Sequence, residues 1–153
     1  MNQWYIRKMR KEDLDDIMEI ENLSFSVPWS KSSFLSEIKN AGVANYYVVV
    51  IKDKVVGYAG FWEIVDEAHI TNIAVHPQYR HHGMGTALLE KIIKDCYENN
   101  IENITLEVRK SNETAFKLYK KMGFECEGIR RNYYRDNKED AVIMWKKNKM
   151  LLV

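Results

Sequence analysis

Cysteine is too scarce in this chain for a disulfide framework: Cys96 and Cys126 are the only two among 153 residues. That usage suits a reducing compartment, and each thiol reads as a small core residue rather than a nucleophile. Two prolines and seven glycines, with no Ser/Gly/Pro-rich tract and no repeat, leave no sign of a linker or of low complexity. A single domain spanning residues 1–153 is expected, long enough to bury a core without staples. No charge of one sign dominates. Twenty-three basic and 22 acidic residues give a net charge of +1, which argues against a bulk electrostatic grip on nucleic acid. No stretch approaches the ~20 apolar residues of a membrane span, and the start, Met1 to Arg7, has no apolar targeting core. The expectation is a cytoplasmic protein, monomeric or weakly dimeric, without direct contact to nucleic acid or membrane. Four histidines show no helical ligand spacing with a carboxylate, so no metal site is expected; His69 and His76 read as structural.

What is present is alternation between strand and helix. Trp4 to Met9 predicts a first strand, and Lys11 to Phe25 a helix carrying Leu14, Ile17 and Met18 at helical spacing. Pro28-Trp29-Ser30 breaks the pattern, after which Ser30 or Ser32 can cap a second helix through Ile38. Tyr46–Ile51 and Val55–Val65 read as strands of a hairpin around Lys52-Asp53-Lys54, followed by a strand over Ala68–Val75. Beyond a helix from Gly83 to Cys96 come a strand at Ile104–Val108, a helix over Asn112–Met122, a strand through Gly128–Tyr133 and a last one at Ala141–Trp145. Lys146 to Lys149 read as a polar tail. The order predicts a mixed sheet flanked by helices, with two strand–helix units bearing the ligand chemistry.

The most informative stretch joins the strand residues Ile73, Ala74 and Val75 to Arg80, His81, His82, Gly83, Met84, Gly85 and Thr86 at the start of a helix. Glycines at 83 and 85 put no β-carbon in the way of an approaching anion. The first-turn N–H groups have no intrahelical partner, and the helix dipole adds positive character at the same end. Taken alone, a glycine pair before a helix more often marks a tight turn. The loop has neither the third glycine of a dinucleotide fingerprint nor the Gly-Lys-Ser/Thr ending of a nucleoside-triphosphate loop.

Arg80, Gly83 and Gly85 do fill the Arg/Gln-x-x-Gly-x-Gly/Ala pattern, and Asn112, Ala115, Tyr119, Gly123 and Phe124 fill Asn-x-x-Ala-x-x-x-Tyr-x-x-x-Gly-Phe. In this order and separation the two blocks resemble the GCN5-related N-acetyltransferases. The likeness implies that family's fold, a central mixed, mostly antiparallel sheet flanked by helices and splayed between its fourth and fifth strands. It implies acetyl-CoA as donor, the glycine loop on its pyrophosphate, Asn112 on its pantetheine arm and Tyr119 near the departing thiolate. Leu106-Glu107-Val108-Arg109, Ser26-Val27-Pro28-Trp29-Ser30 and Arg130-Arg131-Asn132-Tyr133-Tyr134 with Glu139-Asp140-Ala141 are similar to the family's bacterial ribosomal-protein-alanine branch. That branch implies an acceptor, the N-terminal alanine of a small-subunit ribosomal protein.

Acetyl transfer to an amine needs a base and an acid. Glu107 is the candidate base, placed where a strand should meet the acetyl group; without the resemblance, a pair with Arg109 on the same strand face would be the plainer reading. Tyr119 is the candidate acid, although an aromatic on an inner helix face is ordinarily core. Asn112 can cap its helix and still serve the cofactor. His81 and His82 stand where basic or amide side chains are more usual, and exposed rings are their plainer reading. Trp29, Tyr133 and Tyr134 could wall a small pocket for alanine, or simply pack at the rim. Glu67, and with it Glu139 and Asp140, could receive basic residues of a ribosomal tail, or stay solvated. Two other readings remain open: an acetyltransferase of broader protein or small-amine specificity, and a non-catalytic coenzyme A-binding partner protein.

Overall fold

The computed structural model describes residues 3–40 and 42–147. Its core is one seven-stranded sheet: β1 (Trp4–Lys8), β2 (Ala44–Ile51), β3 (Lys54–Ile64), β4 (Glu67–Val75), β5 (Asn103–Arg109), β6 (Glu125–Arg130) and β7 (Ala141–Lys147). The helices are α1 (Leu14–Ser24), α2 (Lys31–Lys39), α3 (Met84–Glu98) and α4 (Glu113–Lys121). Strand order is β1-β2-β3-β4-β5-β7-β6, antiparallel everywhere except between β4 and β5.

Local chemistry explains the element boundaries. Ser30 accepts the Ser33 N–H at 3.1 Å and starts α2. Lys52 and Asp53 both take positive φ, the two-residue turn that matches the twist of a hairpin. Residues 47, 49 and 51 of β2 pack under α3, while 46, 48 and 50 pack under α1 and α2. With both sheet faces covered, this strand runs apolar and aromatic from Tyr46 to Ile51 instead of alternating.

Three expectations need adjusting. The first turn of the predicted Lys11 helix is 3-10, because the Asp13 carboxylate is taken by Arg7 at 2.8 Å and by the Arg10 N–H at 2.7 Å. The sixth strand stops at Arg130, opposite Ala141, so residues 131–133 have no strand to pair with. Tyr133 and Tyr134 therefore lie in a loop, turned by the positive φ of Asn132 and Lys138 and closed by the Lys138 N–H on the Tyr134 carbonyl at 2.9 Å. Lys146 and Lys147 extend β7 rather than fraying; the rest of the expected tail lies outside the described residues.

Two irregularities of the sheet position the site. The parallel β4–β5 pairing covers only Glu67, Ala68 and His69 against Asn103, Ile104 and Thr105, and beyond it the strands part. In β4, Thr71 is an extra residue, since Gly60 pairs with Asn72 and Phe61 with Ile70. A β-carbon at Gly60 would overlap the Tyr46 ring. The space left by that glycine lets the Tyr46 hydroxyl reach Thr71 at 2.8 Å and Glu37 at 3.1 Å. The bulge is thus anchored from α2, and with it the strand edge that faces the splay.

Candidate active site

A groove opens where β4 and β5 part. Its two halves, of about 630 and 690 Å³, share Ser24, Phe25, Ile73, Asn112, Ala115 and Tyr119.

The smaller half is built on the glycine loop. Gly83 has φ +83° and begins α3. No acceptor among the described residues takes the N–H groups of Met84, Gly85 or Thr86. Nothing lies within 4 Å of a β-carbon built on Gly83, and only Val75 Cγ2, at 3.9 Å, near one on Gly85. Open space beside free N–H groups at a fifteen-residue helix N-terminus is the chemistry that a pyrophosphate fits. The loop is held from behind. Arg80 Nε donates to the Val75 carbonyl at 2.9 Å and its Nη2 to Ser24 Oγ at 3.2 Å, so this side chain braces the loop. His76 Nδ1 accepts the Gln78 N–H at 3.1 Å, which puts the ring proton on Nε2, facing Glu19 at 3.2 Å. Ile73, Ala74, Val75, Arg80, His81, Gly83, Met84, Gly85, Thr86 and Asn112 all border this half; His82 does not. The Met84 side chain is buried in the core, so only its backbone is available there.

Glu107 and Tyr119 face the larger half. The Glu107 side chain is 29% exposed, and Arg130 Nε sits 3.0 Å from its Oε1. A pair with Arg109 is not formed. Arg109 instead reaches Asp136 at 2.9 Å and Glu139 at 3.4 Å and lies 3.9 Å over the Tyr134 ring, fastening the β6–β7 loop to β5. The Tyr133 phenol has a raised pKa, from its hydrogen bond to Glu107 first and burial second. Burial pushes Tyr134 up to about 12, against the opposing charge of Arg109.

Tyr119 is 6% exposed and packs against Phe124. Burial raises its pKa, so the phenol keeps its proton at neutral pH, and its hydroxyl has no hydrogen-bond partner among the described residues. A core tyrosine ordinarily satisfies that group. Asn112 Oδ1 accepts the Ala115 N–H at 3.1 Å, so it caps α4 while bordering both halves of the groove. If Tyr119 is the acid that the family resemblance implies, Tyr119→Phe should lower turnover with little change in the KM of the donor substrate. Steady-state kinetics and a melting curve check this, and a variant altered only in melting temperature would return Tyr119 to the core.

Trp29, Tyr133 and Tyr134 come together in the larger half, but Glu67 does not. Glu67 sits at the closed end of the β4–β5 pairing, with its carboxylate 3.0 Å from His69 Nε2. Glu139 and Asp140 each have a partner within the fold. Glu139 accepts the Ser111 N–H at 2.5 Å and Asp140 the Asn132 N–H at 2.9 Å, satisfying loop backbone.

Sequence reasoning missed Ser24 at the end of α1, Phe25 and Val27 just beyond it, Thr71 and Asn72 on the bulge, and Asp136. The break before Pro28 was a usable signal for the first group; the others had none. Ser26 Oγ donates to Asp136 Oδ2 at 2.5 Å, tying the loop after α1 to the β6–β7 loop across the groove.

The sequence profile of the acetyltransferase (GNAT) family matches residues 14–124. A Bacillus subtilis protein, named provisionally as a ribosomal protein bS18-alanine N-acetyltransferase, is 46% identical over 140 residues, 92% of this chain and 93% of its own. The crystal structure of the ribosomal-protein-S18-alanine N-acetyltransferase from Escherichia coli matches with TM-score 0.88 and 34% identity, covering 95% of this chain and 94% of that one. The PaiA N-acetyltransferase from Thermoplasma acidophilum, crystallised with coenzyme A, shares the fold with TM-score 0.80 and 23% identity over 95% of this chain and 99% of its own. A sheet splayed after three parallel pairs, an anion-ready helix start beside it and a profile match over most of the chain have one common explanation: the chain belongs to the GNAT family of acetyltransferases.

Proposed function

We propose that this acetyltransferase moves the acetyl group of acetyl-CoA to the N-terminal amine of a small-subunit ribosomal protein that begins with alanine. The observation that carries the reading is one groove with an anion-ready helix start in one half, aromatic walls and Glu107 in the other, and Tyr119 bordering both. The named activity of the Escherichia coli protein and of the Bacillus subtilis relative supports the acceptor.

Acetyl-CoA, when bound, supplies the thioester. The N–H groups of Met84, Gly85 and Thr86 would hold its pyrophosphate, and Asn112 would face its pantetheine arm. Glu107 takes a proton from the incoming amine; terminal ammonium groups titrate near ~7.7–8.0, so the carboxylate has a modest task. Arg130, beside Oε1, and the Tyr133 phenol hold the carboxylate in place for that step. The Tyr119 hydroxyl, protonated and unpartnered, delivers a proton to the departing sulfur. Trp29, Tyr133 and Tyr134 bound the space for the first side chain.

The test is a panel of peptides differing only at position one, compared by kcat/KM. An Ala-first peptide should be acetylated much faster than one starting with a large residue, because overfilling a walled pocket costs about 1–3 kcal/mol, roughly 5- to 150-fold. Trp29→Ala should flatten that preference without abolishing chemistry. A flat profile in the parent enzyme, or a preference for internal lysine, refutes the N-terminal reading.

A further inference from the structure

The acceptor half of the groove contains a carboxylate that the reaction just described does not use. Glu21, in the last turn of α1, is 1% exposed and borders that half together with Trp29, Glu107 and Tyr119. Its Oε2 accepts the Trp29 N–H at 2.8 Å and its Oε1 accepts the Tyr58 hydroxyl. Both donors are neutral, and burial next to Glu21 raises the Tyr58 pKa, so that proton stays on the phenol. Among the described residues no Lys, Arg or His forms an ion pair with Glu21. The other carboxylates of the wall are compensated: Glu107 by Arg130 at 3.0 Å and Asp136 by Arg109 at 2.9 Å. Of the arginines on this wall, Arg109 is committed to those loop contacts and Arg135 is exposed.

A carboxylate withdrawn from water without a cation is costly, and hydrogen bonds from neutral groups offset only part of the cost. We propose that Glu21 provides the negative charge that recognises the acceptor's ammonium group, completed by the substrate and not by the protein. The inference rests on the reading of the acceptor as an N-terminal amine. It adds a directional element to turnover, because the substrate is a cation and the acetylated product a neutral amide. The same charge that draws the amine in gives no hold on the product.

A second buried carboxylate supplies an internal control. Glu37 on α2 also accepts from neutral donors, the Tyr46 hydroxyl at 3.1 Å and Trp62 Nε1 at 2.7 Å, but does not border the groove. Glu21→Gln separates charge from scaffold. The amide keeps the shape, its oxygen can accept the Trp29 N–H, and its NH₂ can donate to Tyr58, whose hydroxyl then turns to accept.

The experiment measures binding to the enzyme–coenzyme A complex, by calorimetry, of an Ala-first peptide and of its des-amino counterpart beginning with a propionyl group. The parent enzyme should prefer the amine by about tenfold or more, the scale of a desolvated charge pair. Glu21→Gln should erase the preference while leaving the KM for acetyl-CoA unchanged, and Glu37→Gln should retain it. Equal binding of the two peptides by the parent enzyme overturns the proposal even if Glu21→Gln cannot be folded. So does a preference that survives in Glu21→Gln or is lost equally in Glu37→Gln. Should a lysine-containing peptide prove the better substrate, the N-terminal reading fails by itself. The comparison run with that peptide and its norleucine counterpart then decides the role of Glu21 by the same criteria.

Discussion

Glu107→Gln should lower kcat by roughly 10²–10⁴-fold, the range that a positioned general base contributes. Glutamine preserves the side-chain shape but cannot take the proton of the incoming amine. Part of the lost rate should return as pH rises through the ~7.7–8.0 range of terminal amines, because solvent then supplies the neutral nucleophile that Glu107 otherwise generates. Stability should change little. The ion pair that the substitution removes joins Glu107 to an Arg130 whose side chain is 56% exposed, and exposed pairs contribute about 0–1 kcal/mol. A pH series of kcat alongside a melting curve checks all three statements. A rate loss that does not diminish at high pH would show that Glu107 works by orientation and not as a base.

Gly83→Val should raise the KM for acetyl-CoA by roughly 10–100-fold, the equivalent of losing about 1.5–3 kcal/mol of charge-assisted hydrogen bonding, with far less effect on the KM for peptide. Two causes act together. The φ of +83° is a left-handed conformation that a β-branched residue resists, and any β-carbon there points into the space proposed for the pyrophosphate. Gly83→Asn separates them, since asparagine tolerates that backbone at modest cost. If Asn raises KM while the melting temperature holds, obstruction of the anion is the cause. If Asn binds acetyl-CoA like the parent, the Val result reports backbone strain and not obstruction of the anion; a Val variant with unchanged or equally changed KM for both substrates removes the loop from the cofactor site.

Much of the candidate site is legible in the sequence, and the legible parts share a physical character. The glycine loop, the Asn112 cap and the turn at Lys52-Asp53 each depend on neighbours within a few residues, so their geometry is written in short segments. The strands and helices followed from periodicity for the same reason. Tyr133 was misplaced into a strand because a strand ends where its partner ends, and the partner, β7, begins elsewhere in the chain. Pairing among charges was the least legible. Glu107 and Arg109 share a strand face and invite an ion pair, yet each finds its partner on the β6–β7 side of the fold.

The sequence by itself therefore carried the family pattern and, through that resemblance, the candidates for anion binding and proton transfer, because all of these lie within contiguous motifs. Only the tertiary structure decided which carboxylates are neutralised and which face the groove. Ser26 meets Asp136 across 110 positions, and Glu21 meets Tyr58 across 37. Contacts of that range are set by how the helices pack on the splayed sheet, and local propensity carries no information about them.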